Sequence, residues 1–504
     1  MQLKKIVIVG GGAAGWMSAC LMAQQWRGDI AITLVESSAI GTVGVGEGST
    51  PFLRDFFQTL NIPEDEWMPA CNATYKCGIR FPGWSSREDF ASYFHPFNTE
   101  LDQSGAIQFF KDCYARRMGY DLTPVPDDYF AASAIAKMGR APFAKMSDGS
   151  VQVATDFGYH FDSHLLGEFL KQHAKRLGVV HIDDKVVDVK CTEAGGIDSV
   201  QLAQSGRLAG DFFVDCTGFK SLLMREALAV PFISCQDRLS NNAAVALPAR
   251  YAENKAQESA QPQARFPTET IAQAMPYGWM WRIPLTQRWG NGYVFDRNYA
   301  DFDQIEAQLR EQLGSACDDF SARRIMWEPG RLQHHWEKNC IAIGLSQGFL
   351  EPLEAPMLRI IQFTCERFVE LYQSDGLSGR AQQRFNQSVN QLIDGNIDYL
   401  QAHYLVSSRT DTAYWKTVQN NQVMSPELAR LLRAWRSKES FDSVLSELSD
   451  ALVYHKTSWY CLLAGKGEFN LPTKQAPASA HAPKQRLKEY NAKGAQNCLL
   501  TEGG

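Results

Sequence analysis

Two isolated ionisable residues in otherwise apolar stretches are the first candidates for chemistry. Lys76 lies in the run ATYKCGIRF, and Glu354 lies in GFLEPLEAPML, three residues after Glu351. Burial readily lowers the pKa of a lysine, so both its ammonium and its neutral amine become accessible. A carboxylate without a partner is costly in such surroundings, and general-base work is a reason to keep one there. A surface lysine in a loop is the alternative for Lys76, and Glu351 is the rival of Glu354.

A pair of tryptophans forms the second candidate. Trp279 and Trp281 stand in the segment YGWMWRIPL. Side chains two residues apart on an extended segment point to the same face. The pair therefore presents one wall of aromatic rings, unless it is only a core pair next to a turn at Pro284.

A glycine-rich turn near the start of the chain predicts a dinucleotide site. The run KIVIV is followed by GGGAAG, then by an apolar helical stretch from Trp16, then by IAITLVE. This is a strand, a turn, a helix and a strand that ends in an acid. A structural glycine-rich turn without a ligand is the alternative.

Each residue of that motif has an expected task. Gly10 permits the tight turn, Gly12 lets the backbone approach a pyrophosphate, and Gly15 allows the helix to pack closely on the strand. Ala13 and Ala14 begin the helix, whose N–H groups favour an anion. Glu36 would accept hydrogen bonds from the ribose hydroxyls of the nucleotide.

Strand-like runs far along the chain must complete the nucleotide-binding sheet. They lie at 179–190, 198–216 and 339–345. A simple NAD dehydrogenase usually finishes its sheet contiguously, so FAD is favoured over NAD. The predicted fold is α/β, with a Rossmann-like FAD-binding domain of the flavin monooxygenase type and a mostly helical C-terminal region.

These elements give a domain prediction. Residues 1–360 form a discontinuous FAD-binding and catalytic module, 361–471 a mostly helical region, and 472–504 a disordered tail rich in Ala, Lys, Gln and Pro. Within the module, the nucleotide part covers about 1–50, 150–220 and 335–360, and the substrate side covers about 51–149 and 221–334. The polar segment 250–275 is expected to be exposed.

Composition excludes several classes of protein. The 504 residues are 45% hydrophobic and 21% charged, with a formal net charge of −6, which disfavours a nucleic-acid partner. The 12 cysteines contain no C-x-x-C pair, so they are expected to be reduced thiols of a cytoplasmic protein. No apolar run is long enough to span a membrane, and no metal site is predicted.

Several motifs together resemble one family. Trp279-x-Trp281-x-Ile283-Pro284 is similar to the W-x-W-x-I-P signature of the flavin-dependent halogenases of the tryptophan halogenase family. Further similar segments follow in family order from about residue 5 to 467: VGVGEGST (43–50), CNATYKCGIRFPGW (71–84), DFGYHFDSHL (156–165), GLSQGFLEPLE (344–354), HYLVSSRTDTAYW (403–415) and SWYCLLAGKG (458–467).

The resemblance implies a specific chemistry. Reduced FAD and O2 give a flavin hydroperoxide, halide attacks it to give hypohalous acid, and an aromatic substrate held elsewhere is then halogenated. Lys76 would hydrogen-bond the hypohalous acid or, in its neutral form, become a haloamine. Glu354 would polarise that species or take the proton from the ring intermediate. The tryptophan wall would keep the substrate away from the flavin.

The resemblance also assigns binding residues. His95, Phe97 and Trp459 would line the pocket for the aromatic substrate, although core packing explains them nearly as well. The remaining assignments are the flavin ring at Leu345 and Leu358, the adenine at Val186, and the halide at Pro356 and Met357.

Two departures from the family pattern change the expected substrates. After the glutamate the family typically has Ser-Thr-Gly, whose N–H groups hold chloride, whereas this chain has Ala355-Pro356-Met357. Proline has no N–H, so we expect bromide to be preferred over chloride. The lid that clamps free tryptophan is replaced by the compact FDSVLSELSDALVYHKT, which makes free tryptophan a doubtful substrate.

The expected partners follow from the same reading. There is no second G-x-G-x-x-G for a nicotinamide, so a separate NAD(P)H-dependent flavin reductase would supply reduced FAD. The family resemblance adds a small aromatic substrate and a homodimer. The alternatives are a flavin-dependent aromatic hydroxylase and a non-catalytic protein that binds FAD or an aromatic ligand.

Overall fold

The structure is a computed structural model that describes residues 3–41, 46–97, 100–251 and 266–501. The first residues of the 43–50 motif therefore lie outside the described residues. So does most of the segment 250–275 that was predicted to be exposed.

Strands occur throughout the first three quarters of the chain and once more near residue 500. In chain order they are β1 (Lys5–Val9), β2 (Ala31–Glu36), β3 (Gly46–Gly48), β4 (Thr74–Lys76), β5 (Gly78–Pro82), β6 (Ser92–Pro96), β7 (Arg140–Lys145), β8 (Val151–Val153), β9 (Gly158–Asp162), β10 (Val180–Asp183), β11 (Val186–Cys191), β12 (Ile197–Leu202), β13 (Gly206–Ala209), β14 (Phe212–Asp215), β15 (Phe232–Ser234), β16 (Ala243–Ala246), β17 (Glu269–Met275), β18 (Gly278–Pro284), β19 (Trp289–Phe295), β20 (Arg323–Met326), β21 (Gly330–Leu332), β22 (Trp336–Glu337), β23 (Cys340–Ala342), β24 (Gly348–Phe349) and β25 (Cys498–Leu500).

The helices are longest in the last third of the chain. In chain order they are α1 (Ala13–Gln25), α2 (Phe52–Thr59), α3 (Glu64–Ala70), α4 (Gln103–Arg117), α5 (Ala131–Lys137), α6 (Ser163–Arg176), α7 (Phe302–Leu313), α8 (Pro356–Asp375), α9 (Gly379–Leu405), α10 (Ala413–Gln419), α11 (Pro426–Arg436), α12 (Phe441–Glu447), α13 (Lys456–Gly465) and α14 (His481–Gln496).

A mainly parallel sheet in the order β10-β2-β1-β14-β23-β22 forms the nucleotide-binding layer. β1 lies between β2 and β14, parallel to both, and only β22 runs antiparallel to its neighbour. This confirms the predicted fold class, including the return of the chain to the first sheet after about two hundred residues. The carboxyl ends of the parallel strands meet at one edge, where ligands of such sheets bind.

The apolar sequence of α1 explains its place in the core. Nine of its residues, from Gly15 to Ala23, are buried. A helix that is apolar on all sides is stable only when it is covered on all sides. α1 is covered by α6 and α8, and its buried side chains join the largest hydrophobic cluster of the protein.

A second sheet positions the substrate side. It has the order β20-β16-β19-β18-β17-β5-β6, and it is antiparallel except between β17 and β5. β18 carries the two tryptophans of the predicted wall, and β6 carries His95. Lys76 ends β4, which pairs with β9 in a small neighbouring sheet.

Residues 481–500, within the predicted disordered tail, adopt regular structure, which corrects that expectation for this part of the chain. They form α14 and then β25, which pairs antiparallel with β7. Asn491, Ala495 and Cys498 are buried, and the side-chain amide of Asn491 donates to the carbonyl of Tyr129. Composition misled the prediction because a few small residues at helical spacing are enough to attach a mostly polar helix.

Among the described residues, no helix combines the length and the apolar character that crossing a membrane requires.

Candidate active site

Of the three glycines of the G-x-G-x-x-G motif, the fold requires Gly10 and Gly15 but not Gly12. Gly10 has a φ of +110°, and a Cβ atom there would collide with the carbonyl of Cys216. A Cβ atom at Gly15 would collide with the carbonyl of Gly10. At Gly12, in contrast, a Cβ atom would meet no atom of the described residues within 4 Å. The space beside Gly12 is therefore the part of the turn that a ligand can approach.

The helix that follows this turn leaves its first N–H groups open. No side chain caps α1, whose N-cap is Gly12, and its first turn contains no acid. Uncapped N–H groups and the helix dipole favour a phosphate group at this position. The residues present thus fit the pyrophosphate of a dinucleotide, the group for which Gly12, Ala13 and Ala14 were predicted.

Glu36 ends β2 at the same edge of the sheet, beside the turn. A Cβ atom at Gly11 would collide with its carboxylate. Glu36 Oε1 also lies 3.1 Å from Lys171 Nζ and 3.0 Å from His181 Nε2. The sequence does not indicate these two neighbours of Glu36, because nothing in their local sequence connects them with residue 36.

The other predicted cofactor contacts lie in three further places. Leu345 is in a tight turn that follows β23, and Leu358 is buried in the first turn of α8. The turn is close to the glycine motif, since a Cβ atom at Gly344 would collide with Ala14. Val186 begins β11 and is half-buried opposite Leu202.

Lys76 is buried at the end of β4, with 1% of its surface exposed. Burial lowers the pKa of its amine to about 8, although the charge of Glu354 works in the opposite direction. Its Nζ lies 5.4 Å from the centre of the Phe97 ring. The ammonium and the neutral amine are therefore both accessible near neutral pH.

Glu354 is the buried carboxylate to which Lys76 is coupled; 4% of its surface is exposed. His95 Nδ1 and His403 Nε2 contact the same oxygen, Oε1, at 3.2 and 2.9 Å. Burial alone would raise the pKa of the carboxyl group, but the two histidines bring it down to about 2. Glu354 is therefore ionised, and neither histidine occupies its second oxygen.

Glu351 has a different environment, although it precedes Glu354 by only three residues. Its Oε2 accepts hydrogen bonds from the side chains of Asn241 at 2.8 Å, Trp279 at 2.9 Å and Tyr404 at 2.7 Å. Burial raises the pKa of this carboxyl group. Glu351 thus holds the predicted wall in place, whereas Glu354 is the carboxylate whose charge acts on the pKa of Lys76.

The wall itself has the expected geometry. Trp279 and Trp281 are buried on the same side of β18, with ring centres 6.1 Å apart. The ring of Trp281 lies over Gly292 of β19, where a Cβ atom would collide with it. The hydrogen bond to Glu351 fixes the orientation of the Trp279 indole.

Two of the predicted pocket residues, His95 and Trp459, meet at Tyr399, a residue of α9 that the sequence did not indicate, whereas Phe97 lies beside Lys76. Trp459 packs edge-on against Tyr399 with ring centres 4.9 Å apart. The ring of His95 is tilted relative to the Tyr399 ring, with ring centres 6.2 Å apart. Tyr454 stacks on Tyr399 at 3.7 Å. These contacts are those of a packed aromatic core, and substrate binding by His95 and Trp459 stays a prediction.

The residues predicted to hold a halide begin α8. Ala355 is its N-cap with a φ of +54°, and the N–H of Ala355 donates to the carbonyl of Pro352. Pro356 occupies the first helical position and has no N–H to offer. Met357 is therefore the first residue of this helix with an N–H group.

Comparison with known proteins agrees with this arrangement. The family model named Tryptophan halogenase matches residues 5–484. The tryptophan 6-halogenase SttH of Streptomyces toxytricini is 35% identical, over 97% of this chain and 94% of that protein. The 7-chloro-L-tryptophan 6-halogenase KtzR of Kutzneria sp. (strain 744) is 36% identical, over 94% of this chain and 92% of that protein.

Solved structures give the same result. The crystal structure of SttH superposes with a TM-score of 0.84 at 32% identity, covering 99% of this chain and 98% of the other. The structure of Tar14, a tryptophan C-6 flavin-dependent halogenase (chlorinase), superposes with a TM-score of 0.83 at 32% identity and the same coverage.

The chain belongs to the tryptophan halogenase family. It is accordingly a flavin-dependent halogenase, an enzyme of the oxidoreductase class, as the sequence predicts.

The glycine motif supplies the first testable prediction. Gly12→Val is expected to abolish FAD binding without loss of stability, because φ is −70° at Gly12 and the added side chain would fill the open space. Gly15→Val should lower the free energy of unfolding by about 1–3 kcal/mol or more through its collision with backbone. Fluorescence titration with FAD and denaturant unfolding measure the two effects. Unchanged FAD affinity in Gly12→Val would contradict this assignment.

The two glutamates supply the second prediction. Glu354→Gln removes the charge that favours the ammonium, so the pKa of Lys76 should fall below its value of about 8. Glu351→Gln is the matched control and should leave the pKa of Lys76 unchanged, since its carboxylate serves Trp279. NMR titration of protein labelled with 13C-lysine, with the Lys76 signal assigned by Lys76→Ala, gives both values. Equal shifts in the two variants would show that the glutamates do not divide their roles in this way.

Proposed function

We propose that this protein halogenates an indole-like or related aromatic ring at the expense of reduced FAD and O2, with Lys76 and Glu354 as catalytic residues. The observation that carries the proposal is the burial of one amine and one ionised carboxylate that influence each other electrostatically. A binding module would have no use for such a costly pair.

The cofactor enters through the residues of the glycine-rich turn. Gly12, Ala13 and Ala14 would hold the pyrophosphate of FAD, Glu36 the ribose, Val186 the adenine, and Leu345 and Leu358 the flavin ring. Bound reduced FAD would supply, with O2 and a halide ion, hypohalous acid. The protein must then keep this reactive acid from reaching other groups.

Lys76 would hold the halogen species at a fixed point. An ammonium donates a hydrogen bond to hypohalous acid, and a neutral amine can carry the halogen as a haloamine. With a pKa of about 8, Lys76 is mostly an ammonium at pH 7 with a minor neutral fraction. Its burial leaves the halogen no bulk water to escape into.

Glu354 would act on the aromatic ring that receives the halogen. When an electrophilic halogen adds to an aromatic ring, the ring carbon must lose a proton to regain aromaticity. An ionised carboxylate whose second oxygen is not taken by His95 or His403 is suited to accept that proton. His95, Phe97 and Trp459 would hold the ring within reach.

The tryptophan wall disfavours the hydroxylase alternative. A hydroxylating enzyme must bring its substrate to the flavin. Here the buried rings of Trp279 and Trp281 on β18 would keep the substrate and the flavin apart. Glu351 fixes Trp279 through a hydrogen bond, so the wall is not free to swing aside.

The third prediction tests the proposed activity. Protein, FAD, NADH and a generic flavin reductase are incubated with indole or tryptophan and bromide, and the product is analysed by mass spectrometry. The wild type should give a bromine isotope pattern, and Lys76→Ala should give none while still binding FAD. Lys416→Ala, at an exposed position of α10, is the control. An oxygenated product, or unaltered halogenation by Lys76→Ala, would refute the proposed function.

The halide preference rests on Pro356. One N–H donor that the family offers to chloride is missing here, and chloride is both the most strongly hydrated and the hardest to oxidise of the heavier halides. We therefore propose that bromide is preferred. Since the relative Tar14 is a chlorinase, this would be a departure of the present chain.

The fourth prediction concerns this preference. In competition with equimolar salts, brominated product should exceed chlorinated product, and Pro356→Thr should raise the chlorinated fraction by restoring an N–H group. Ala355→Ser is the matched control, because it introduces a family residue without adding a donor. Mass spectrometry gives the ratio. Efficient chlorination by the wild type at modest chloride would contradict the proposal.

The substrate and the partner complete the proposal. The compact connection before α13 lacks the clamp expected for the amino and carboxyl groups of free tryptophan, which favours an indole-type ring or a residue of a larger molecule. A separate NAD(P)H-dependent flavin reductase would supply reduced FAD, and the protein would act as a homodimer.

A further inference from the structure

A second buried lysine lies behind the proposed catalytic glutamate. Lys466 follows α13 and is fully buried. Its Nζ donates to the carbonyl of His403 at 2.5 Å, lies 3.2 Å from His403 Nδ1, and stands 4.2 Å from the centre of the Trp84 ring. Neither the glycine motif nor the Lys76–Glu354 pair accounts for a lysine at this position.

The hydrogen bonds among Glu354, His403 and Lys466 determine which ring nitrogen of His403 carries the proton. Ionised Glu354 can only accept, so His403 Nε2, 2.9 Å from Oε1, must carry a proton. Burial lowers the pKa of His403 to about 3, so its ring is neutral. Burial also lowers the pKa of Lys466 well below its usual range, but a neutral amine keeps N–H groups that can donate. A neutral imidazole has one N–H, so Nδ1 must be an acceptor, and Lys466 is the donor that faces it.

His95 provides a contrast on the same carboxylate oxygen. Its Nδ1 contacts Glu354 Oε1, but its Nε2 is buried with no hydrogen-bond partner among the described residues. The carboxylate places the proton of His95 on Nδ1 from one side only. The tautomer of His403 is fixed from both sides.

We propose that Lys466 is a positioning residue, which locks His403 in the Nε2–H tautomer and thereby holds Glu354 Oε1, leaving Oε2 directed to the reaction. This inference rests on the proposed function for its catalytic meaning. Within the described part of the chain, the Lys466 amine contacts His403 and Trp84, and neither Lys76 nor the proposed pocket residues. It acts on Glu354 through His403.

The proposal makes a specific claim about kinetics. Without the Lys466 donor, His403 can move its proton to Nδ1, lose its bond to Oε1 and release the carboxylate. The expected loss is about 10- to 100-fold in kcat, the scale seen when an orienting partner is removed. KM for the aromatic substrate should change little, because the binding residues are untouched.

The test reads the tautomer directly. NMR correlation of the side-chain nitrogens in 15N-histidine-labelled protein, with His403 assigned by a His403→Gln variant, should show Nε2 protonated and Nδ1 unprotonated in the wild type. Lys466→Met should give the Nδ1–H tautomer or a mixture. Lys466→Gln, which retains an N–H donor, should keep the wild-type tautomer as its main form. Lys456→Met, at the half-buried first position of α13, is the control and should resemble the wild type.

Two results would overturn the proposal: an Nδ1–H tautomer in the wild type, or an unchanged tautomer in a folded Lys466→Met variant. If Lys466→Met does not fold, the proposal is judged by the His403 tautomer in the wild type and in Lys466→Gln, and an Nδ1–H form as the main tautomer in either would contradict it. The NMR measurement does not depend on turnover. A wild type that makes no halogenated product would therefore count against the proposed function, while the tautomer would still judge the role of Lys466.

Discussion

The structure depends on keeping one carboxylate ionised inside the protein. A buried charge without partners would be neutralised or expelled, so Glu354 requires compensation from its surroundings. His95 and His403 bind one oxygen, Lys466 supports His403, and Lys76 contributes the positive charge on which the proposed chemistry depends. Each of these groups is buried, which makes their interactions strong and the loss of any one of them expensive.

This compensation explains why the site is assembled from distant parts of the chain. His95 and Glu354 are 259 residues apart, and His403 and Lys466 are 63 residues apart. The substrate-side sheet supplies His95, a helix supplies His403, and the turn after another helix supplies Lys466. The parallel sheet, in turn, places the cofactor turn at the same edge as the loop that leads into Glu354.

Sequence reasoning succeeds where the signal is local. The strand, turn and helix around Gly10, Gly12 and Gly15 could be predicted because adjacent residues carry the whole pattern. The choice of Glu354 over Glu351 came from the family resemblance. The contacts that separate the two glutamates could not be predicted, because they involve Asn241, Trp279, Tyr404 and two histidines that no spacing rule connects. Lys466 was missed for the same reason: it resembles any lysine at the end of a helix until His403 is seen against it. The segment after 472 shows the opposite error, since its composition outweighed a few small residues that pack well.

The pairing of β25 with β7 has a consequence for how the protein is made. Residues 498–500 complete a sheet whose other strands lie at 140–153, about 350 residues earlier. Contacts of such separation form late, after the intervening chain has been synthesised and has found its own structure. Until then the edge of β7 is open and able to pair with another chain. Slow translation or early termination before residue 498 would therefore leave the edge of β7 exposed to pairing with other chains. The yield of folded protein would then depend on a short segment far from the proposed active site.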